Sequence, residues 1–253
     1  MPDEIHLSVI IPAYNEEKRL PKTLEEIDKY LSRQIYDYEI VVVNDGSKDQ
    51  TAKICRNLIS TIGNLRLIDN KENHGKGYVV RQGMLEAKGE YRLFTDADNS
   101  TSIDQVEKMW PYLKGTCPER AERVEGFDIV IGSRDIKGAV LSPPQPWLRQ
   151  VLLGEGFKLF RKIIIGLWGI EDTQCGFKCF TKRAAEDIFP KCKINLFAFD
   201  PEILLIANKI GYKIKEIPVY WKNDPESKVK FKGIIKMAFD LFRIRLNLIW
   251  LKK

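Results

Sequence analysis

Histidine is scarce in this 253-residue chain: His6 and His74 are the only two. The five cysteines (Cys55, Cys117, Cys175, Cys179, Cys192) are odd in number and lack disulfide-like spacing. A zinc centre is therefore poorly supplied, and buried, reduced thiols in a cytosolic protein are expected. No uncharged apolar run reaches the ~20 residues that a membrane span needs. Asp3 and Glu4 stand where a secretory signal would carry its basic segment, so no signal peptide is expected. The first apolar run is not followed by Gly-x-Gly-x-x-Gly, and no Walker sequence occurs, so a dinucleotide-binding Rossmann site lacks its phosphate turn. Low-complexity tracts and repeats are also missing, and the length suits one α/β unit with a large core.

Positive charge is present but uneven. The formal net charge is +6, and the stretch 226–253 holds eight basic residues against two acids, a difference of +6, so the rest of the chain is balanced. The basic residues there interleave with Ile, Leu, Phe and Trp, which points to an anionic surface as partner. A nucleic-acid partner is not expected, because no recognition motif accompanies the charge.

The first hundred residues alternate strand and helix patterns. Residues 7–11 read as a buried strand stopped by Pro12, and Leu20, Leu24, Ile27 and Leu31 space a helix. Residues 39–43 are a nearly unbroken β-branched run, as expected when both sheet faces are covered. A helix over 51–62, a strand over 65–68, a helix over 78–87 and a strand over 91–95 follow. This predicts an α/β fold with a mostly parallel central sheet flanked by helices. Residues 128–131 and 213–221 read as further strands. Asp200 and Glu202 open a helix whose N-terminus their charge suits. Residues 137–146, with Pro143, Pro144 and Pro146, read as a loop or lid.

Polar residues gather where these strands end: Tyr14-Asn15-Glu16, Asp45, His74 to Gly77, Asp96 with Asp98, and Arg134. Open α/β sheets place ligands at that edge. Asp96 and Asp98 repel each other and are costly to desolvate unless a cation joins them, so they are either a solvated turn or a pair of oxygen ligands for a hard divalent ion. Asp45 suits a base or ribose, Lys76 a phosphate, and the planar fork of Arg134 a phosphate as well. Asp172, Thr173 and Gln174 form either a plain turn or a match for sugar hydroxyls. Ser227-Lys228 is a candidate anion grip.

Two segments carry apolar and basic residues together. Residues 147–170 include Arg149, Lys158, Arg161 and Lys162, and the helix expected over 233–251 sets Ile234, Met237, Leu241, Ile244, Leu248 and Leu251 on one stripe. Each fits a helix packed on the sheet or one lying in a membrane interface. The expected organisation is a catalytic domain over 1–228, with 147–170 as a candidate interfacial segment, followed by a basic amphipathic helix over 229–253.

Taken in order, Pro12-Ala13-Tyr14-Asn15-Glu16, Asn44-Asp45-Gly46-Ser47, His74-Gly75-Lys76-Gly77 and Asp96-Ala97-Asp98 resemble the family-2 inverting glycosyltransferases of the GT-A (Rossmann-like) fold. Asp172 to Lys178, Phe199-Asp200-x-Glu202 and Ser227-Lys228 are similar to the branch that loads polyprenyl phosphate, and most to its dolichyl-phosphate glucosyltransferases. The resemblance runs from about Leu7 to the C-terminus. It departs in two places: the N-terminal anchor of the eukaryotic relatives is not read here, and Ser100 stands where mannose-using relatives often carry Gln. The resemblance implies that Pro12, Tyr14, Glu16, Asp45, Lys76 and Ala97 serve the nucleotide. It implies that Asp96 and Asp98 bind Mg²⁺ or Mn²⁺, that Arg134, Ser227 and Lys228 receive the acceptor phosphate, and that Asp172 and Gln174 lie near the donor sugar. C-terminal amphipathic interfacial helices and a peripheral place on the cytoplasmic membrane face go with it.

A phosphate acceptor changes the chemistry required. A sugar hydroxyl needs a general base, whereas a phosphate monoester with a second pKa of about 6 is already largely ionised. The expectation is inverting transfer of a hexose, glucose from UDP-glucose first, to polyprenyl phosphate without an obligatory protein base. GDP-mannose or UDP-N-acetylglucosamine as donor, or a soluble or polysaccharide acceptor, are the alternatives within the family. A nucleotidyltransferase would need a glycine-rich loop after the first strand, which 12–17 lacks. A membrane-associating scaffold would not need Asp96, Asp98 and Arg134.

Overall fold

Short β-branched runs form the centre of the molecule. The computed structural model describes residues 5–113, 126–143, 162–222 and 239–247. Strands β1 (Leu7–Ala13), β2 (Tyr38–Asp45), β3 (Leu65–Asn70) and β4 (Tyr91–Thr95) alternate with α1 (Leu20–Leu31), α2 (Thr51–Ile59) and α3 (Lys76–Glu86). Then follow β5 (Ile129–Ser133), β6 (Val140–Ser142), β7 (Phe177–Thr181), α4 (Lys182–Ile188), α5 (Phe199–Lys209), β8 (Ile214–Pro218) and β9 (Tyr220–Lys222). Seven strands make one sheet in the order β3-β2-β1-β4-β7-β5-β8. All neighbours are parallel except β7, which runs antiparallel to both β4 and β5.

Both faces are buried, which explains why these strands are apolar at successive positions. On one side Ile10, Val41 and Val43 pack with Val79, Val80 and Met84 of α3 and with α4 and α5. On the other, Val9, Ile11, Ile40 and Val42 pack with Leu20, Leu24, Ile27 and Leu31 of α1. Each such side chain contributes roughly 1.5–3 kcal/mol by leaving water.

Several expectations need correction. Pro12 does not stop β1 but lies inside it, paired in register with Val43. The ladder to β4 has already ended at Ile10, so Pro12 has one neighbouring strand, an edge-like position that tolerates a missing N–H. The strand expected over 213–221 breaks at Val219, where the chain leaves the main sheet. Its end, β9, pairs instead with β6, a three-residue edge strand inside the expected 137–146 loop. The helix expected to continue to 170 ends at 165, because Gly166 takes φ +79 and its N–H donates to the Lys162 carbonyl at 2.8 Å.

Residues 239–247 are helical. Leu241 and Ile244, part of the expected stripe, are buried in the core, while Phe239, Phe242 and Leu246 face outward. Trp147, Ser227, Lys228 and Trp250 lie outside the described residues. Among the described residues no helix is long and apolar enough to cross a membrane.

Candidate active site

Parallel pairing sends the carboxyl ends of β1, β2, β4 and β5 to one edge of the sheet, and the antiparallel β7 starts there. The loops that leave β1 and β2 are laced together. The Asn15 N–H donates to Ser47 Oγ at 2.9 Å, Lys48 N–H to Asn15 Oδ1 at 2.8 Å, and Glu16 N–H to Thr51 Oγ1 at 2.8 Å. Glu16 is buried and takes two bonds from Arg19, at 2.7 and 2.8 Å. Tyr14 on the same loop is exposed.

Asp45 is buried and organises the next loop. Oδ1 accepts from His74 N–H at 2.7 Å, and Oδ2 accepts from Gly75 N–H at 3.0 Å and Asn73 Nδ2 at 2.9 Å. A carboxylate offers about four acceptor positions, so these three donors fix its orientation and leave one position over. Its part is to hold residues 73–75 in place. Gly75 has φ +100, and a Cβ there would stand 2.4 Å from the Asn195 carbonyl oxygen, so this turn requires glycine.

Lys76, the first residue of α3, does not point to open solvent. Its Nζ lies 2.6 Å from Asp96 Oδ1 and 5.9 Å from the centre of the Phe199 ring. Asp98 accepts from Ser100 N–H at 2.9 Å. Burial, and then the charge of Asp96, raise the Asp98 carboxyl above its ordinary range. Ala97 between them is buried, and its carbonyl accepts from Thr23 Oγ1 at 2.8 Å.

Arg134 and Asp172, 38 positions apart, form the second half of the site. Arg134 Nε donates to Oδ2 at 2.7 Å and Nη2 to Oδ1 at 2.9 Å, a two-pronged pair. The backbone N–H groups of Arg134, Gln174 and Cys175 add bonds at 3.1, 2.9 and 3.1 Å. Burial alone would raise the Asp172 carboxyl, but Arg134 outweighs it and holds it well below the ordinary range. The guanidinium also stacks 4.8 Å from the Trp221 ring centre. Glu216 of β8 fixes the turn from below, accepting from the Glu171 and Asp172 N–H groups at 2.8 and 2.9 Å. Gln174 is half-buried beside this turn.

Beneath Asp96 lies a buried ion pair. Lys178 Nζ, with no exposure, sits 2.5 Å from Asp200 Oδ1 and over the Phe94 ring at 5.1 Å. Glu202, also buried, accepts from the Lys193 and Ile194 N–H groups at 3.0 and 2.9 Å and holds the loop that packs on the start of α3.

The structure thus brings Lys76, Asp96 and Asp98 together and, one strand away, Arg134, Asp172 and Gln174. Sequence reasoning missed Trp221 and Glu216. Their only signal was alternation along 213–221, which gives a face but no partner.

The donor set can be tested against a divalent ion. No group of three or more His, Cys, Asp or Glu side chains able to hold a metal occurs among the described residues. Two carboxylates alone match a hard cation that keeps water and substrate phosphate as its other oxygen ligands. The raised Asp98 carboxyl is the electrostatic stress that such a cation relieves. Asp96 and Asp98 therefore fit Mg²⁺ or Mn²⁺ accompanied by a diphosphate.

Comparison with known proteins agrees with this geometry. The chain is 41% identical over 249 residues to a dolichyl-phosphate beta-glucosyltransferase of Trichomonas vaginalis, covering 96% of this chain and 72% of that one. It is 37% identical over 249 residues to the dolichyl-phosphate beta-glucosyltransferase of Homo sapiens, covering 95% and 75%. Mannosyl-3-phosphoglycerate synthase from Rubrobacter xylanophilus superposes with a TM-score of 0.68 at 16% identity, over 97% of this chain and 74% of that one. Glucosyl-3-phosphoglycerate synthase from Mycobacterium tuberculosis, in complex with Mn²⁺, UDP and glucosyl-3-phosphoglycerate, gives 0.65 at 15% identity, over 98% and 81%. These likenesses establish the GT-A architecture. The family model for glycosyl transferase family 2 matches residues 8–189, and the chain belongs to that family of glycosyltransferases.

Proposed function

We propose that this chain transfers glucose from UDP-glucose, with inversion, to a polyprenyl phosphate such as dolichyl phosphate, at the cytoplasmic surface of a membrane and with Mg²⁺ or Mn²⁺. The acceptor rests on one observation: Asp172 is spent. Its two oxygens accept five N–H groups and its carboxyl is held ionised well into acid, so it is a poor proton acceptor. With Asp172 committed in this way, an acceptor that is already an anion suits this half of the site. The names of the similar proteins support the same acceptor and sugar.

In this reading Arg134 grips the acceptor phosphate. Asp172 and Trp221 fix the guanidinium plane, and Nη1 takes no part in the pairing with Asp172, so it is the nitrogen offered to the phosphate. A phosphate oxygen forms the new bond to the anomeric carbon as the bond to the UDP oxygen breaks on the opposite side. No proton has to move. A divalent ion on Asp96 and Asp98 would supply charge neutralisation for the departing diphosphate. The loops after β1 and β2, with Pro12, Tyr14, Glu16 and Asp45, serve the base and ribose. Ser227 and Lys228 remain proposed acceptor-phosphate residues.

Membrane placement rests on the outward Phe239, Phe242 and Leu246, with exposed Arg243 and Arg245 beside them and exposed Ile163 and Trp168 on the preceding segment. Apolar side chains flanked by cations suit an anionic bilayer surface.

The deciding assay offers radiolabelled UDP-glucose, GDP-mannose and UDP-N-acetylglucosamine with a short polyprenyl phosphate and, separately, the matching polyprenol. Metal-dependent product from UDP-glucose with the phosphate alone is expected, and EDTA or Asp98→Ala abolishes it. Product from the free alcohol would overturn the proposed acceptor chemistry.

A further inference from the structure

Charges of opposite sign neighbour one another in the site: Lys178 with Asp200, and Lys76 with Asp96 and Asp98. Lys178 and Asp200 are buried and paired at 2.5 Å. Lys76 and Asp96 are paired at 2.6 Å, and both retain about a quarter of their side-chain exposure. After Asp96, Asp200 is the carboxylate that acts most strongly on the Lys76 charge. Two cations thus serve three carboxylates.

The backbone beneath Lys76 is fixed. Gly77 N–H donates to the Asn195 carbonyl at 2.8 Å, and a Cβ on Gly77 would stand 2.5 Å from the Ile194 carbonyl oxygen. Only the flexible four-carbon stem is left to move. Its ammonium occupies an oxygen of the same carboxylate that a divalent ion would need. A nucleoside diphosphate entering beside Asp96 would offer that ammonium several charged oxygens, while Asp200 remains its neighbour on the other side.

We propose that Lys76 is a built-in counter-cation for Asp96: it holds the carboxylate while no divalent ion is bound and yields it when a nucleoside diphosphate draws the ammonium away, so ion and nucleotide bind together rather than ion first. The proposal rests on the reading of Asp96 and Asp98 as metal ligands for a nucleotide sugar. It makes Lys76 a positioning residue for metal entry as well as a phosphate contact.

The test follows free Mn²⁺ by electron paramagnetic resonance during titration of protein, with and without UDP, with thermal unfolding as the check on folding. Wild type binds Mn²⁺ weakly alone and more tightly with UDP. Lys76→Met binds Mn²⁺ alone about tenfold more tightly, since a resident positive charge has gone, and the tightening by UDP shrinks by a similar factor. Lys76→Arg keeps wild-type behaviour, and Lys76→Gln replaces the Met variant if that one does not fold. A neutral variant that binds Mn²⁺ alone no more tightly than wild type, while UDP still promotes wild-type binding, overturns this inference and leaves the functional reading standing. Wild type that binds no Mn²⁺ even with UDP overturns both.

Discussion

The backbone at Gly176 lies directly against the Asp96 carboxylate: a Cβ at that position would stand 2.1 Å from Oδ2 and 2.4 Å from Cγ. Real side chains do not approach so closely, so Gly176→Ala must push Asp96 aside. We expect transfer activity to fall at least a hundredfold, with about 1–3 kcal/mol of lost stability from overpacking. Steady-state rates and a melting curve check this, and unchanged activity would mean that Asp96 does not need this position.

Asp172→Asn removes the charge that fixes Arg134 and leaves a largely buried guanidinium unpaired. We expect about 3 kcal/mol of lost stability and a raised KM for the acceptor, with donor affinity kept. Complete loss of turnover at saturating acceptor, in a protein as stable as wild type, would instead mark Asp172 as a base.

Lys178 and Asp200 should behave as a unit. Lys178→Met alone strands a buried carboxylate and should cost about 3–5 kcal/mol in urea unfolding. Adding Asp200→Leu should recover much of that loss. Strictly additive losses would show that the two charges are not coupled.

Four thiols set an alkaline limit. Burial pushes Cys55 and Cys175 up to about 12 and raises Cys179 and Cys192 as well. In the unfolded chain thiols ionise near 9, so their folded values are raised. Their contribution is complete below about pH 9 and is lost as pH rises toward the folded values, by up to about 1.4 kcal/mol per thiol per pH unit. Urea unfolding at pH 8, 9 and 10 should show falling stability, and Cys55→Ala should flatten the fall. At pH 8 these four should also resist iodoacetamide until the protein is unfolded.

For the outward face of 239–247, Phe239→Ser with Leu246→Ser should reduce co-sedimentation with anionic vesicles while leaving the melting temperature nearly unchanged, since both side chains are largely exposed. Undiminished co-sedimentation would remove this face from the membrane argument.

The first four strands were legible because each is mostly apolar after one polar residue near its start (Ser8, Glu39, Arg66, Arg92) and ends in a polar cluster, and β4 begins and ends where the pattern put it. β7 was not. Phe177–Thr181 runs straight on from the polar turn at 171–176 with no helix pattern before it to set a strand apart, and the partner that lets Lys178 be buried, Asp200, lies 22 positions later. Asp96, Asp98, Arg134 and Asp172 could be named from the sequence, but their pairing could not. Arg134 and Asp172 lie 38 positions apart, and no local periodicity links them. Lys76 could be assigned to the site, but its contact with Asp96 could not, since a pattern of residue types does not reveal which charge a long side chain meets. The stripe through Leu241 and Ile244 was visible, but only packing shows that it faces inward while Phe239 and Phe242 do not.

The reversed strand between β4 and β5 also acts as a ruler. Asp96 follows the end of β4 and Arg134 the end of β5, with β7 alone between them. Two ladder spacings come to about 9.6 Å, and hydrogen bonds on both sides of β7 keep that interval from varying. On the proposed reading, a donor diphosphate at one mark and an acceptor phosphate at the other would be spaced by backbone rather than by side chains. In the proposed transfer both phosphates would converge on one anomeric carbon, so a changed side chain at either mark alters the grip on a phosphate but not the interval between the two marks.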